Sequence, residues 1–233
     1  MKQPETALIV GAGSGLSASL ARLLAKDGMR VALAARDTAK LASLVKETSG
    51  FPIACDATDL SQVEAMFAAV EAKWGVPDLV VYNAGYRVRG PFVGLDPKEV
   101  ERTIRVTGYA AFLVAQCAAK RMLARGSGAI LFTGASASVK GYAESAPFAM
   151  GKFALRGLAQ SLAREFGPKN IHVAHFVIDG GIARPGGDAR AAARGADGML
   201  DPDAIAETYM SVYRQQRSAW SLEVDLRPWA EKF

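Results

Sequence analysis

Apolar runs alternate with amphipathic stretches along the 233-residue chain. The apolar runs lie at 7–10, 30–35, 51–55, 78–82, 129–133 and 172–178. Between them, 17–25, 38–47, 59–73, 97–124 and 147–166 carry apolar residues at helical spacing. A short apolar run is a strand buried on both faces, and a longer amphipathic stretch is a helix covering one. Strands that alternate with helices build right-handed βαβ units. The pattern predicts an α/β chain: one doubly wound domain over residues 1–233, its parallel sheet covered by helices on both faces. No linker or repeat interrupts it. Residues 186–198, rich in Ala, Gly and Arg, form the one loose insertion, expected on the substrate side.

The stretch TALIVGAGSGLS, residues 6–17, organises the rest. Four apolar residues run into Gly11, Gly13 and Gly15, and a helix of small residues and leucines follows. Glycines there let the backbone turn tightly and approach a diphosphate, which rests on the free N–H groups and positive end of the helix. Gly11, Gly13, Ser14, Gly15 and Leu16 are therefore candidate cofactor contacts. A G-x-G-x-x-G reading fails, because Leu16 fills its last slot. The second strand ends Ala34-Ala35-Arg36-Asp37. An acid that reads a ribose belongs at this point in an NAD site, and Arg36 can instead fork onto a 2′-phosphate.

The glycine turn resembles the TGxxxGxG loop of the short-chain dehydrogenase/reductase family, with Val10 for the Thr and Ser17 for the last Gly. Ala35 stands where that family's NAD enzymes carry Asp, so NADP(H) is expected over NAD(H). Cys55-Asp56-Ala57-Thr58 resembles the family's adenine-edge element, which makes Asp56 and Ala57 contacts. Asn83-Ala84-Gly85 matches the family's signature triplet, which closes over the adenine-side ribose. The resemblance runs from the first strand into the second half. It implies a Rossmann-like fold whose seventh strand is 221–226.

The catalytic half departs from the family. Members carry Tyr-x-x-x-Lys on the helix after strand five; here Phe148-Ala149-Met150-Gly151-Lys152 stands there. Lys152 keeps the family lysine's place, one helical turn from an apolar ring in the phenol's place. The family serine, thirteen residues before its tyrosine, falls on Ala135, unless a slip promotes Ser136 or Ser138. Gly141, at the family's usual place, argues against a slip. The family Asn on the long helix is Arg105, and the Pro-Gly segment with its later Thr is Asp179-Gly180-Gly181-Ile182-Ala183-Arg184. Gly180 and Ile182 are the contacts that segment retains.

Tyr142 is the candidate substitute acid, with Glu144 and Tyr86 also expected at the substrate mouth. Arg105 beside Lys152 can attract an anionic substrate or depress the lysine's pKa. His172 and His175 read as structural. The resemblance implies an NADP(H)-dependent oxidoreductase of non-standard site on an unidentified carbonyl or alcohol. The alternative is a silent NADP(H)-binding sensor or partner subunit.

Composition narrows the classes. The net charge of +5 is spread without a Lys/Arg block, so nucleic acid is not an expected partner. Two cysteines and two histidines supply neither a disulfide framework nor a metal cluster. No run is long enough for a membrane span, and residues 1–5 are too polar for a signal peptide. A cytoplasmic protein with a small-molecule substrate is expected. Trp220, Trp229 and Phe233 around the last strand, with the long 97–124 helix, suggest a homodimer or homotetramer.

Overall fold

The computed structural model describes residues 3–184 and 186–231. Its strands are β1 (Thr6–Val10), β2 (Arg30–Ala35), β3 (Phe51–Ala54), β4 (Leu79–Tyr82), β5 (Gly128–Thr133), β6 (Ile171–Ile178) and β7 (Glu223–Leu226). They pair, all parallel, in the order β3-β2-β1-β4-β5-β6-β7. The strand order reverses between β1 and β4, where Val10 lies opposite Tyr82. In open sheets of this kind the crevice beyond the carboxyl ends of those two strands is where ligands bind.

Alternation along each strand sends side chains to two separate cores. Ala7 and Ile9 pack with α1 (Leu16–Lys26), α2 (Ala42–Thr48) and α8 (Pro202–Tyr213) through Leu20, Leu44 and Tyr209. Leu8 and Val10 pack on the other face with α3 (Leu60–Trp74), α5 (Ala110–Arg125) and α6 (Ala146–Phe166) through Phe67, Leu113 and Leu155. Tyr209 stacks on Phe176 at 3.6 Å and donates to the Thr133 hydroxyl at 2.8 Å, which fastens α8 to the ends of β5 and β6.

Two expectations are corrected. Residues 97–124 are not one helix: α4 (Pro97–Ile104) passes through a π-helical turn, Arg105–Tyr109, into α5. Here Gly108 lies against Ala154, and a Cβ on Gly151 would stand 2.8 Å from Thr107 Cβ. Two glycines thus let α6 cross the π turn at close range, and π turns of this sort gather at functional sites. Second, the 186–198 insertion holds a short helix, α7 (Ala189–Arg194), which Asp188 caps. At the C-terminal edge Trp220 stacks on His172 at 4.6 Å, and Trp229 is exposed. Phe233 lies outside the described residues. Among those residues no helix is long and apolar enough to cross a membrane, and no group of His, Cys, Asp and Glu could hold a metal.

Candidate active site

Gly11 turns at φ +86°, and a Cβ on it would stand 2.5 Å from the Ala84 main-chain nitrogen. The turn after β1 is thus pressed directly onto the turn after β4. Side chains lock the contact. Asn83 Nδ2 donates to Ser17 Oγ at 2.6 Å, and Ser17 Oγ donates to the Gly11 carbonyl at 3.0 Å. By contrast, no heavy atom lies within 4 Å of a Cβ built on Gly13, Gly15 or Gly85. No side chain caps the start of α1. This cradle, which side chains at 13 and 15 would fill, fits the diphosphate of a dinucleotide. Leu16 differs from its expected role, because its side chain is buried in the core.

The cradle opens into a cleft of about 910 Å³ that reaches Arg36, Asp56, Ala57 and the Asn83–Gly85 turn. Arg36 is exposed at its rim, and no ion pair engages it among the described residues, whereas Asp37 pairs with Lys40 at 3.3 Å. Asp56 is oriented by Thr58, whose N–H and hydroxyl donate to Oδ1 at 2.9 and 2.8 Å. The opposite wall carries Lys98, Arg102 and Arg105, of which only Arg105 was expected. Tyr86 is not free to act at the mouth. It donates to Glu99 at 2.6 Å, which raises its pKa, and Arg102 lies 4.2 Å from its ring centroid.

Lys152 is not among the residues that line the cleft. Its side chain is buried, and Nζ donates to the Thr133 carbonyl at 2.6 Å. Nζ lies 5.7 Å from the centroid of the Phe148 ring, so the pair four residues apart meets as its spacing requires. Burial alone pushes the lysine down to about 8. The expected cause was Arg105, which makes no contribution; its guanidinium instead lies 5.7 Å from the Tyr109 ring. Ala135 is half-buried, and its N–H donates to Ser138 Oγ at 3.1 Å. Ser138 is buried, so this hydroxyl closes a turn. Tyr142 is exposed, with Lys140 5.5 Å from its ring centroid.

A profile of the short chain dehydrogenase family matches residues 5–185. The chain belongs to that family. It is similar to the D-erythrulose reductase of Gallus gallus, 37% identical over 168 residues that span 72% of this chain and 67% of the relative. A short-chain dehydrogenase from Rhodopseudomonas palustris is 33% identical, with a TM-score of 0.85 over 98% of this chain and 100% of that one. A metagenomic short-chain oxidoreductase solved in complex with NADP is 29% identical, with a TM-score of 0.84 over 97% and 98%. The family is one of oxidoreductases that bind NAD(P).

Within this short-chain dehydrogenase the cleft gathers Gly11, Gly13, Ser14, Arg36, Asp56, Ala57, Asn83, Ala84, Gly85 and Arg105. Gly15, Leu16, Lys152, Gly180 and Ile182, also expected as cofactor contacts, are not among its walls. Gly180 is required by packing: at φ +150° its Cβ would stand 2.8 Å from Pro228 Cδ. Ile182 bridges to Leu200. The residue that sequence reasoning missed is Arg87, whose guanidinium carbon lies 4.8 Å from the Phe148 ring centroid. Nothing in the local pattern marks it, because a loop contact brings it there: Gly90 N donates to the Glu144 carbonyl at 3.0 Å. His175 is buried as expected, with Nδ1 3.0 Å from Glu223 Oε2, and burial holds its pKa down at about 4.

Proposed function

We propose that this chain is an NADP(H)-dependent carbonyl reductase or alcohol dehydrogenase of the short-chain family that works without the usual phenol and serine. Gly11, Gly13, Ser14, Gly15 and the Leu16 main chain hold the diphosphate. Asp56, Ala57 and the Asn83–Gly85 turn border the adenosine. Arg36 takes the 2′-phosphate, which favours NADP(H) over NAD(H); it is unpaired among the described residues and free to fork onto an oxyanion. The chemistry that a bound nicotinamide supplies is hydride transfer to or from the carbon of a carbonyl or alcohol.

The observation that carries the reading is the Lys152 ammonium, buried and held by one carbonyl beside Phe148. Phe148 brings no proton and excludes water. Lys152, pushed down to about 8, releases a proton more readily than an ordinary lysine and serves as the acid. Tyr142 is the second candidate acid, and Arg105 draws anions toward the cleft. A positioned acid contributes about 10²- to 10⁴-fold, so turnover persists at a reduced rate. The substrate is a small molecule, the protein is a cytoplasmic homodimer or homotetramer, and residues 1–233 act as one domain.

A second reading follows from Phe148 and Ala135 themselves, which offer no hydroxyl: a silent NADP(H)-binding sensor or partner subunit. Oxidation of NADPH and NADH against a panel of carbonyls, with and without Lys152→Ala, separates the two. The reductase reading expects NADPH turnover that falls at least about tenfold in the variant. Tight NADPH binding without turnover on any carbonyl would establish the silent reading. Calorimetry on Arg36→Ala expects NADPH affinity to fall toward that of NADH, and equal affinities in the parent would refute the cofactor preference.

A further inference from the structure

Arg87 and Lys152 sit against one ring. The guanidinium carbon of Arg87 is 4.8 Å from the Phe148 centroid, and Lys152 Nζ is 5.7 Å from it. Among the described residues no carboxylate pairs with either cation; Lys152 has the Thr133 carbonyl and the ring, and Arg87 has the ring. Arg89 and Tyr142 stand near enough to Arg87 to act on its charge. The loop that carries Arg87 is tied to the loop that carries Tyr142 through Gly90 and Glu144, so the guanidinium belongs to a built wall.

Cations with no carboxylate paired to them repel one another until an anion arrives. A guanidinium offers a planar fork that matches a carboxylate with two parallel hydrogen bonds. A guanidinium that rests against an aromatic ring still has N–H groups to give a ligand. The aryl side chain in the phenol's place therefore does more than lack a hydroxyl: it carries the guanidinium.

We infer that Arg87, seated on Phe148, anchors the carboxylate of an oxo acid whose carbonyl oxygen faces Lys152. This rests on the reductase reading for the carbonyl's fate, but not for the carboxylate's binding. In the oxidative direction the same site takes the corresponding hydroxy acid. Arg87 touches the substrate and sets specificity; the proton at the carbonyl oxygen remains with Lys152.

The test uses the whole chain and a pair of matched probes, oxamate and its uncharged counterpart oxamide, titrated by calorimetry with and without saturating NADPH. Oxamate should bind at least about tenfold more tightly than oxamide. Arg87→Ala should abolish that preference, and Arg87→Lys should keep part of it. Arg87 is exposed, so both variants are expected to fold, which far-UV circular dichroism checks. In turnover, kcat/KM for pyruvate relative to methyl pyruvate should fall by a similar factor in Arg87→Ala, with the ester unaffected. Equal binding of the two probes, or a preference that survives Arg87→Ala, overturns the inference. Reduction of neutral ketones with no preference for acids overturns it and leaves the reductase reading intact. An Arg87-dependent oxamate preference without any turnover sustains the carboxylate site and removes the reductase reading.

Discussion

The Lys152 ammonium donates to the Thr133 carbonyl at 2.6 Å, tying the second turn of α6 to the last residue of β5. The contact satisfies one of three donors on a buried cation. Burial disfavours the charge, and no carboxylate offsets it among the described residues, so the proton is held less tightly than usual. A lysine in this state is costly to fold around and useful as an acid.

Carbonyl reduction should therefore fall as pH rises through about 8, because the ammonium is the donating form. Stability moves the opposite way. With the folded pKa lowered, the unfolded chain binds more protons between about 8 and the ordinary value near 10.5, so this group's contribution rises with pH across that window. The span corresponds to about 3 kcal/mol. Urea unfolding of parent and Lys152→Met from pH 7 to 10.5 should give curves that converge as pH rises. Parallel curves would place the lysine in contact with water.

Gly11 and Gly13 should separate folding from binding. A Cβ on Gly11 meets the Ala84 backbone at 2.5 Å and sits at φ +86°. Backbone cannot give way as a side chain end does, so Gly11→Ala should lose roughly 3 kcal/mol of stability. At Gly13 nothing lies within 4 Å. Gly13→Ala should stay within about 0.5 kcal/mol of the parent. It should still weaken NADPH binding, since its methyl group enters the cradle. Unchanged NADPH affinity in Gly13→Ala would move the diphosphate elsewhere.

Tyr109 and Phe112 on the π turn and α5, with Met150 and Phe153 on α6, are large apolar side chains left exposed. Tyr109 and Phe112 stack at 6.3 Å, one helical turn apart. A second copy of this chain covering that face would account for helices that are buried on one side yet keep aromatics on the other. Sedimentation at micromolar concentration should show a dimer or tetramer, and Phe112→Glu should shift it toward monomer by more than tenfold in Kd. A monomeric parent contradicts the assignment.

Much of this was legible in the chain. Alternating apolar runs predicted the first six strands within two residues of their observed bounds, most of them because a strand buried on both faces must be apolar throughout, whereas the half-exposed β7 came from the family resemblance. The meeting of Phe148 and Lys152 followed from helical spacing alone. The π turn at 105–109 did not, since one extra residue per turn leaves no mark in a hydrophobic pattern. Arg87 was out of reach for a different reason: a loop pinned through Gly90 and Glu144 puts it over Phe148, and such contacts are tertiary. Some signals were present and unread. Asp201 before Pro202, and Asp188 before an Ala-rich run, are helix-start signatures for α8 and α7.

The sharpest test of the site is to put the missing hydroxyls back. Phe148 is half-buried with Lys152 Nζ 5.7 Å from its ring centroid, and Ala135 is half-buried on extended backbone at the end of β5. Phe148→Tyr with Ala135→Ser puts back the phenol and the hydroxyl at the positions that the resemblance assigns them, and the phenol gains a lysine whose lowered pKa suits it to a shared proton. NADPH-dependent reduction of an activated carbonyl should rise, up to about 10²-fold for a positioned acid. The gain should fall short of the full family effect, because Arg105 stands where the family carries Asn and the Pro and Thr of the family's later segment are missing. The new phenol also alters the ring on which Arg87 rests, so the gain should be larger on neutral carbonyls than on oxo acids. A double variant that folds and binds NADPH yet gains nothing would mean that the pocket is shut to carbonyls, which favours the silent binder. A parent that turns over briskly and is indifferent to Lys152→Ala would mean that the proton comes from another group, with Tyr142 the next to be tested.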